Sequence, residues 1–180
     1  KVLHPLGGVP MFTHALRAAD GLHPARRVLV VGPDADAVRK SAANFDDEIE
    51  IVEQPEQNGT GGAVRSALPA LRGFEGDAMV LYGDTPFVRP ETLERMQTAR
   101  AEGADVVVLG FEAADAGRYG RLIVRGDTLE RIVEYKDASP EERAVKLCNS
   151  GLICVNGSVL SDLVAALDTD NAAGELYLTD

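Results

Sequence analysis

Short runs of apolar residues alternate with segments whose apolar residues recur at helical spacing. The apolar runs lie at 27–32, 48–52, 78–82 and 105–110, and glycine, proline or polar turns end them. Helical spacing follows three of these runs. Uninterrupted apolar strands that alternate with helices are typical of a parallel sheet covered on both faces. The pattern therefore predicts an α/β fold with a doubly wound, mostly parallel sheet, in which ligands bind at the carboxyl ends of the strands.

The alternation of apolar runs and helical segments ends near residue 119, where the pattern indicates antiparallel structure. Residues 121–124 and 129–134 flank a turn at 125–127, an arrangement typical of a β-hairpin inserted into the sheet. A capped helical turn, a strand at 147–155 and a helix at 158–167 follow. No linker or internal repeat divides the chain, so we expect residues 1–180 to form a single domain.

Composition and charge narrow the classes of partner. A hydrophobic content of 45% is enough for one core, and a formal net charge of -11 disfavours nucleic acid, because nucleic-acid binders concentrate lysine and arginine on one face. No apolar run reaches the roughly 20 residues that a membrane span needs, and the opening residues lack a signal-peptide pattern. Cys148 and Cys154 are expected to be buried free thiols, with a disulfide or metal pair as the alternative. We therefore expect a cytoplasmic protein that binds neither nucleic acid nor a membrane.

A glycine-rich loop at 59–62 leads into the predicted helix at 61–68. Amides at a helix N-terminus favour an anion or a polar ring, and glycine permits close approach of a ligand. A flexible turn before a helix explains the same residues equally well. A dinucleotide-binding fingerprint fits poorly, because its first glycine follows the strand directly, whereas residues 53–58 intervene here.

Asp84 follows the apolar run at 78–82, at the sheet edge where this fold binds its ligands. Magnesium binds one or two protein carboxylates together with phosphate oxygens and water, so a single aspartate is compatible with a metal carried by the substrate. The alternative is that Asp84 caps the turn at Thr85 and Pro86. Lys1 has the charge to neutralise a phosphate, although a lysine in such a position is more often simply solvated.

Further polar residues lie at or within the later strands. Glu134 and Lys136 flank Tyr135, and strand alternation points both to one face, either as an ion pair or as sugar and phosphate contacts. Asn149 lies in an apolar strand, where a buried amide needs partners from the protein or from a ligand; a bulge or turn is the alternative. The three histidines lack metal spacing and no Ser/His/Asp arrangement is evident, which disfavours covalent catalysis.

Two motifs are specific: Ile-Val-Glu-x-Lys-Asp-Ala at 132–138 and Gly-Glu-x-Tyr-x-Thr-Asp at 174–180. With them go the segments 1–11, 56–61, 81–86, 119–121 and 149–151. Together, in order and spacing, they resemble the uridylyltransferase domain of the bifunctional bacterial GlmU family over essentially the whole chain. The resemblance implies the Rossmann-like nucleotide-diphospho-sugar transferase fold and a magnesium-dependent reaction. In that reaction UTP and N-acetylglucosamine 1-phosphate give UDP-N-acetylglucosamine and pyrophosphate, for peptidoglycan and lipopolysaccharide synthesis.

The resemblance also assigns roles to individual residues. By this analogy Lys1 is a catalytic phosphate-binding residue, and Asp84 is catalytic and binds magnesium. The residues that match uracil contacts, or line the same cleft, are Gln54, Gly59, Thr60, Tyr82 and Gly83. The residues that match the N-acetylglucosamine site and the sugar and phosphate end of the pocket are Gly120, Glu134, Asn149, Tyr177 and Thr179.

Other expectations concern regions outside the sequence. In the family, a Leu-Ala-Ala-Gly loop and a catalytic arginine precede the position of Lys1. A second magnesium ligand, an asparagine, and a left-handed β-helix acetyltransferase domain follow that of Asp180. We therefore expect residues 1–180 to be one nucleotidyltransferase (pyrophosphorylase) domain without these ends, with weak or no activity by itself. The full-length protein is expected to be a homotrimer.

Two alternatives stay open. One is a related nucleotidyltransferase for another sugar or base, such as a glucose 1-phosphate uridylyl- or thymidylyltransferase, although the segment Glu134-Tyr135-Lys136 and Asn149 favour the N-acetyl sugar. The other is a non-catalytic module that binds sugar nucleotides. Lys1 and Asp84 weigh mildly against it, because a pure binder needs no metal ligand. A module of that kind should bind nucleotide equally well after chelation of divalent metal.

Overall fold

The computed structural model describes residues 1–126 and 128–180 of the 180-residue chain. The helices within them are α1 Met11–Asp20, α2 Asp36–Phe45, α3 Thr60–Ala67, α4 Pro90–Ala101, α5 Pro140–Arg143 and α6 Gly157–Ala166. The strands are β1 Pro5–Leu6, β2 Val9–Pro10, β3 Val28–Val31, β4 Glu50–Glu53, β5 Asp77–Val80, β6 Val106–Glu112, β7 Arg121–Arg125, β8 Thr128–Val133 and β9 Leu147–Asn156. A 3-10 turn, Leu68–Leu71, continues α3.

The predicted alternation of strands and helices is confirmed from β3 onward. The element boundaries differ at a few positions, and the opening residues form β1, β2 and α1, which the sequence pattern does not predict. In α1 the buried side chains Phe12, Ala15 and Ala18 recur every third residue, which is the spacing of one helix face. Helix α2 begins after Ala35, which makes no side-chain cap bond, so Asp34 does not have the capping position that its residue type favours.

The hairpin is confirmed, whereas the pairing within the larger sheet differs from the expectation. Strands β3 and β4 are parallel, as predicted. The five-stranded sheet has the order β5-β9-β7-β8 with β6 also on β9, and its pairs are antiparallel. Strands β5 and β6 do run in one direction, but β9 lies between them. An uninterrupted apolar run indicates that a strand is buried on both faces, but it does not indicate the direction of the strand. The sequence pattern therefore did not predict the antiparallel pairing. The predicted turn at 125–127 includes residue 127, which lies outside the described residues.

Strand β9 is the centre of the core because its two faces are both covered by helices. Leu152 and Cys154 pack with residues of α1 and α4 on one side. Ile153 and Val155 pack with residues of α3 and α6 on the other. Full burial of an aliphatic side chain contributes about 1.5–3 kcal/mol, so this strand anchors the three layers. Its carboxyl-terminal half thereby fixes the position of the polar residues that precede it, Asn149 among them.

The structure also bears on the cysteines and on membrane insertion. Both cysteines are free and buried, as predicted. Burial raises the pKa of the Cys154 thiol to about 11. Among the described helices, none combines the length and apolar character that crossing a bilayer requires.

Candidate functional site

Asp84 lies just beyond β5 and contacts Lys1. Lys1 Nζ donates to Asp84 Oδ2 at 2.6 Å, with side-chain exposures of 76% and 35%. Among the described residues, none in the turn after Asp84 donates a hydrogen bond to its carboxylate, and the turn is closed instead by Thr85, whose Oγ1 donates to the Tyr82 carbonyl at 2.7 Å. The hydrogen bond to Asp84 and its negative charge raise the pKa of Lys1, so the ammonium persists throughout the neutral range.

Lys1 is presented by a turn that docks on Gly83. The amide of His4 donates to the Lys1 carbonyl at 2.9 Å, and that of Phe12 donates to the Val2 carbonyl at 3.2 Å. A β-carbon at Gly83 would come within 3.4 Å of Val2 and 3.3 Å of Phe12. The absence of a side chain at Gly83 thus lets the turn approach the end of β5 and places the ammonium beside the carboxylate.

The glycine-rich loop before α3 is held by Gln54 and by Leu176. Gln54 Nε2 donates to Asn58 Oδ1 at 3.2 Å and to the Gly59 carbonyl at 3.0 Å. Gly59 has φ +108°, and a β-carbon there would lie 2.4 Å from the Leu176 carbonyl oxygen. The Leu176 amide donates to the Asn58 carbonyl at 2.7 Å. The loop is thus an ordered element and not a flexible turn.

Part of the hydrogen-bonding capacity at the start of α3 is used by the protein itself. The amide of Gly61 donates to the Leu176 carbonyl at 2.8 Å, so it is not open to a ligand as the glycine pattern suggested. Thr60 Oγ1 accepts from the amide of Leu178 at 3.0 Å. The segment around residues 176–178 therefore covers this helix end and ties it to the opposite side of the site.

That opposite side contains four of the predicted sugar contacts: Gly120, Glu134, Asn149 and Thr179. Thr179 Oγ1 donates to Glu134 Oε1 at 3.1 Å. A β-carbon at Gly120 would come within 3.1 Å of the same carboxylate oxygen. The amide of Asn149 donates to the Gly120 carbonyl at 2.9 Å. The structure thus brings the four together, although they are spread over 59 positions of the sequence between 120 and 179.

Glu134 is a half-buried carboxylate. Burial is the main reason that its pKa is raised; Asp180 and Asp137 act in the same direction, and the bond from Thr179 acts against them. Within the described residues no salt bridge joins Glu134 to Lys136, so the ion-pair alternative is not what the structure shows. The second carboxylate oxygen, Oε2, can accept a hydrogen bond from a ligand.

Tyr82 connects the two ends of the site. Burial above all raises the pKa of its phenol, and the charges of Glu134 and Asp84, at the two ends, act in the same direction. Its ring packs on Gly151, where a β-carbon would meet ring atom Cε2 at 2.3 Å. Gly151 has φ +85° and donates its amide to Asn149 Oδ1 at 2.9 Å. Gly151 belongs to the site although its role was not predicted; a glycine inside an apolar strand was the available signal.

Two cavities flank these residues. One of about 680 Å³ opens beside Asp84 and has mostly apolar walls that include Leu6, Met11 and Val88. The other, of about 470 Å³, is lined by Arg118, Glu134, Tyr135, Lys136, Arg143 and Tyr177. Tyr177 thus lies at the same end as Glu134, and burial is the main cause that raises the pKa of its phenol.

A metal at this site would depend on the substrate for most of its ligands. In the described part of the chain, no group of three or more His, Cys, Asp or Glu side chains converges to hold an ion. Asp84 uses Oδ2 for Lys1, which leaves Oδ1 to face a ligand. A single partly exposed carboxylate fits magnesium, which takes phosphate oxygens and water as its remaining ligands, and does not fit a metal held by protein alone.

Comparison with known protein families agrees with this geometry. The family model of the MobA-like NTP transferase domain matches residues 1–171. The chain belongs to this family. The matched range includes Lys1 and Asp84, the loop before α3, Glu134 just after β8, and Asn149 on β9. The assignment as a nucleotidyltransferase, made from the motifs, is therefore confirmed.

Individual curated proteins are also similar to this chain in sequence. The chain is 59% identical over its full length to the bifunctional protein GlmU of Cereibacter sphaeroides, covering 39% of that protein. It is also 59% identical to the GlmU of Dinoroseobacter shibae, covering 40%, and 56% identical to that of Ruegeria pomeroyi, covering 40%. The resemblance predicted from the motifs is thus confirmed. The chain spans about two fifths of the length of these relatives.

Solved structures confirm the predicted fold class. A UDP-glucose pyrophosphorylase complexed with UDP-glucose superposes with a TM-score of 0.78 at 17% identity, over 100% of this chain and 76% of that one. The apo form of a UDP-glucose pyrophosphorylase gives a TM-score of 0.76 at 16% identity. The chain therefore has the nucleotide-diphospho-sugar transferase fold, and in this chain parallel and antiparallel strand pairs occur together.

Proposed function

We propose that this chain forms the uridylyltransferase site of a UDP-N-acetylglucosamine pyrophosphorylase. A phosphate oxygen of N-acetylglucosamine 1-phosphate attacks the α-phosphorus of UTP. The bond from that phosphorus to the β-phosphate bridging oxygen breaks, and pyrophosphate leaves with the electron pair. The observation that carries the proposal is a site with two chemically different ends: the Lys1–Asp84 pair at 2.6 Å, and a cluster of polar groups around the half-buried Glu134. The GlmU relatives support it.

Residues at the start of α3 suit the nucleotide base. Gln54 has its amide nitrogen committed to Asn58 and Gly59, which leaves its carbonyl oxygen as an acceptor for a base N–H. Gly59 would offer its backbone to the planar base, and Thr60 fixes the loop by accepting from the amide of Leu178. We assign Gln54, Gly59 and Thr60 to uracil, with Tyr82 and Gly83 as walls of the same cleft.

The pair at the end of β5 suits the phosphates. Lys1 supplies a permanent positive charge for the triphosphate, and Asp84 is the residue that would hold magnesium. When bound, the metal neutralises charge on the phosphates and orients them. No side chain acts as a nucleophile in this scheme. Positioning and charge neutralisation are sufficient for transfer of a phosphoryl-type group between oxygens.

The groups around Glu134 suit an N-acetylated sugar. The Asn149 side chain accepts from Gly151 through Oδ1, and no described residue accepts from its Nδ2, so this nitrogen is available to donate to a ligand carbonyl. Glu134 offers a carboxylate oxygen to a sugar hydroxyl or to an acetamido N–H. Gly120, Tyr177 and Thr179 complete this end. A glucose unit would leave the buried amide and carboxylate only partly paired, which is costly for binding.

The remaining roles extend the same proposal to the whole protein. UTP, N-acetylglucosamine 1-phosphate and UDP-N-acetylglucosamine are its small-molecule partners, and Mg²⁺ is its cofactor. The product supplies peptidoglycan and lipopolysaccharide synthesis, and we assign the enzyme to the cytoplasm, where its nucleotide substrate is made. We propose a homotrimer for the full-length protein and no nucleic-acid or membrane partner.

The test is release of pyrophosphate by the full-length protein from UTP and N-acetylglucosamine 1-phosphate, with magnesium and after chelation. We expect product only with the metal, and a preference over glucose 1-phosphate of at least about tenfold in kcat/KM. Asp84→Asn should abolish the reaction. The control Asp162→Asn, which changes an exposed aspartate on α6, should not. Binding of UDP-N-acetylglucosamine without any turnover, unchanged by chelation, would instead identify a non-catalytic binding module.

A further inference from the structure

Arg121 is the most deeply buried charged residue in the described part of the chain. Its relative exposure is 2%, and it is the largest of the fully buried side chains. No salt bridge among the described residues involves it. A buried charge is costly unless its hydrogen-bonding groups are satisfied.

Its N–H groups are satisfied by backbone carbonyls. Nη2 donates to Gly117 at 3.1 Å and to Arg143 at 3.2 Å, and Nε donates to Arg143 at 3.3 Å. Nη1 donates to the carbonyls of Ala116 and Tyr119. The planar fork of arginine is suited to such a divergent set of acceptors, whereas the compact ammonium of lysine is not.

These carbonyls belong to two segments that border the sugar end of the site. One is the loop 116–119 before Gly120, and the other is the end of α5, at Arg143. The Tyr119 carbonyl belongs to the peptide bond whose N–H is that of Gly120. Because this bond is planar and trans, the contact with Arg121 sets the direction of the Gly120 N–H. No described backbone carbonyl accepts from that N–H.

Gly120 connects Arg121 to Asn149 and Glu134, which are assigned to ligand binding. Its carbonyl accepts from the amide of Asn149 at 2.9 Å, and a β-carbon on it would lie 3.1 Å from Glu134 Oε1. The Arg121 guanidinium also lies 5.9 Å from the centre of the Tyr135 ring, next to Glu134 in the chain. Arg121 itself is enclosed and lines neither of the two cavities described above.

We infer that Arg121 is a positioning residue for the sugar end of the site: it orients the Gly120 peptide, and through it Glu134 and Asn149, without touching the ligand. The inference rests on the proposed function for the identity of the ligand. It predicts that loss of the guanidinium impairs recognition of the sugar far more than recognition of the nucleotide, whose contacts at Gln54 and Thr60 lie on a different segment.

The experiment compares Arg121→Met and Arg121→Lys in the full-length protein by calorimetric titration with UDP-N-acetylglucosamine and with UTP. For Arg121→Met we expect binding of the sugar nucleotide to weaken by about tenfold to 100-fold and binding of UTP to change by less than about threefold. The affinity of Arg121→Lys for UDP-N-acetylglucosamine should lie between that of Arg121→Met and that of the unaltered protein. Arg125→Met is the matched control: this arginine lies on the same strand, is exposed and pairs with Glu130 at 2.8 Å.

Amide hydrogen exchange separates a positioning role from a general loss of fold. We expect faster exchange in 116–121 and at Asn149 in Arg121→Met, with the core strand β9 beyond residue 152 unchanged. Equal weakening for both ligands together with faster exchange throughout would overturn the inference, as would unchanged sugar binding. If the unaltered protein binds no UDP-N-acetylglucosamine, the proposed function fails. The exchange comparison at Asn149, whose amide donates to the Gly120 carbonyl, then still decides whether Arg121 orders this segment.

Discussion

The ring of Tyr82 packs directly on the Cα of Gly151, so closely that a β-carbon there would lie 2.3 Å from ring atom Cε2. This contact joins the end of β5 to the middle of β9 and places the phenol between the nucleotide and sugar ends of the site. A side chain at Gly151 would displace the ring. Gly151 thereby sets the depth of the cleft at its centre.

Gly151→Ala should therefore lower both stability and ligand binding. The positive φ of +85° costs about 1–2 kcal/mol for an alanine, and the clash with Tyr82 adds about 1–3 kcal/mol. Urea denaturation measures the sum. Gly73→Ala is the control, because Gly73 also has a positive φ, +71°, but a β-carbon there would have nothing within 4 Å of it. Equal destabilisation by the two substitutions would show that the contact with Tyr82 is unimportant.

Substitution of Lys1 or Asp84 should reduce turnover rather than folding. Both side chains are partly or largely exposed, so Lys1→Met and Asp84→Asn should each leave the midpoint of urea denaturation essentially unchanged. We expect kcat/KM to fall by at least about 100-fold in each. Because Asp84 raises the pKa of Lys1, Asp84→Asn should also shift the titration of the Lys1 ammonium toward lower pH. NMR of the side-chain nitrogen checks this shift, and an unchanged titration would contradict the pairing.

Glu134 should make stability depend on pH in a defined direction. Its pKa is raised in the folded protein, mainly by burial, so its neutral form is the more compatible with folding. This contribution is fully present below the ordinary pKa of glutamate and is lost as the pH rises through the raised value. Glu134→Gln mimics the neutral form and keeps an acceptor for Thr179. The stability of this variant relative to the unaltered protein should rise from about pH 4 to about pH 7. A difference that is constant over this range would refute the assignment.

Gly59→Ala should disturb the nucleotide end selectively. An alanine there has an unfavourable φ of +108° and meets the Leu176 carbonyl at 2.4 Å, so the pairing of Leu176 with the 58–61 loop must open. UTP binding should weaken by about tenfold or more. Gly7→Ala, at φ +57° with open space around it, isolates the strain of the backbone from the loss of this pairing. Equal effects of both substitutions on UTP binding would count against the role of the loop.

Cys154 should be chemically inert while the protein is folded. The thiol is buried in the core and its pKa is raised to about 11, so little thiolate exists at neutral pH. We expect a maleimide reagent to label neither cysteine in the native protein and both in denaturant, as counted by intact mass. Rapid labelling of the native protein at neutral pH would mean that β9 opens locally.

The sequence by itself determined the α/β class, the succession of strands and helices from residue 27 onward, and the hairpin. Each depends on local physics: apolar runs at strand length, apolar residues at helical spacing, and the capped helical turn that the structure confirms at α5, where Ser139 is the N-cap. The motif segments also identified the family. Strand direction was not determined in this way, because β9 is apolar on both faces whichever way it runs.

The site itself was decided by tertiary structure. Lys1 meets Asp84 only because the first turn docks on Gly83, and Thr179 meets Glu134 only because residues 176–178 cross the start of α3. The local sequence around Arg121 shows a charged residue at the start of a hairpin and gives no sign that it is enclosed by carbonyls. Contacts between positions far apart in the chain are set by the packing of whole elements, and hydrophobic periodicity along a single segment contains no information about them.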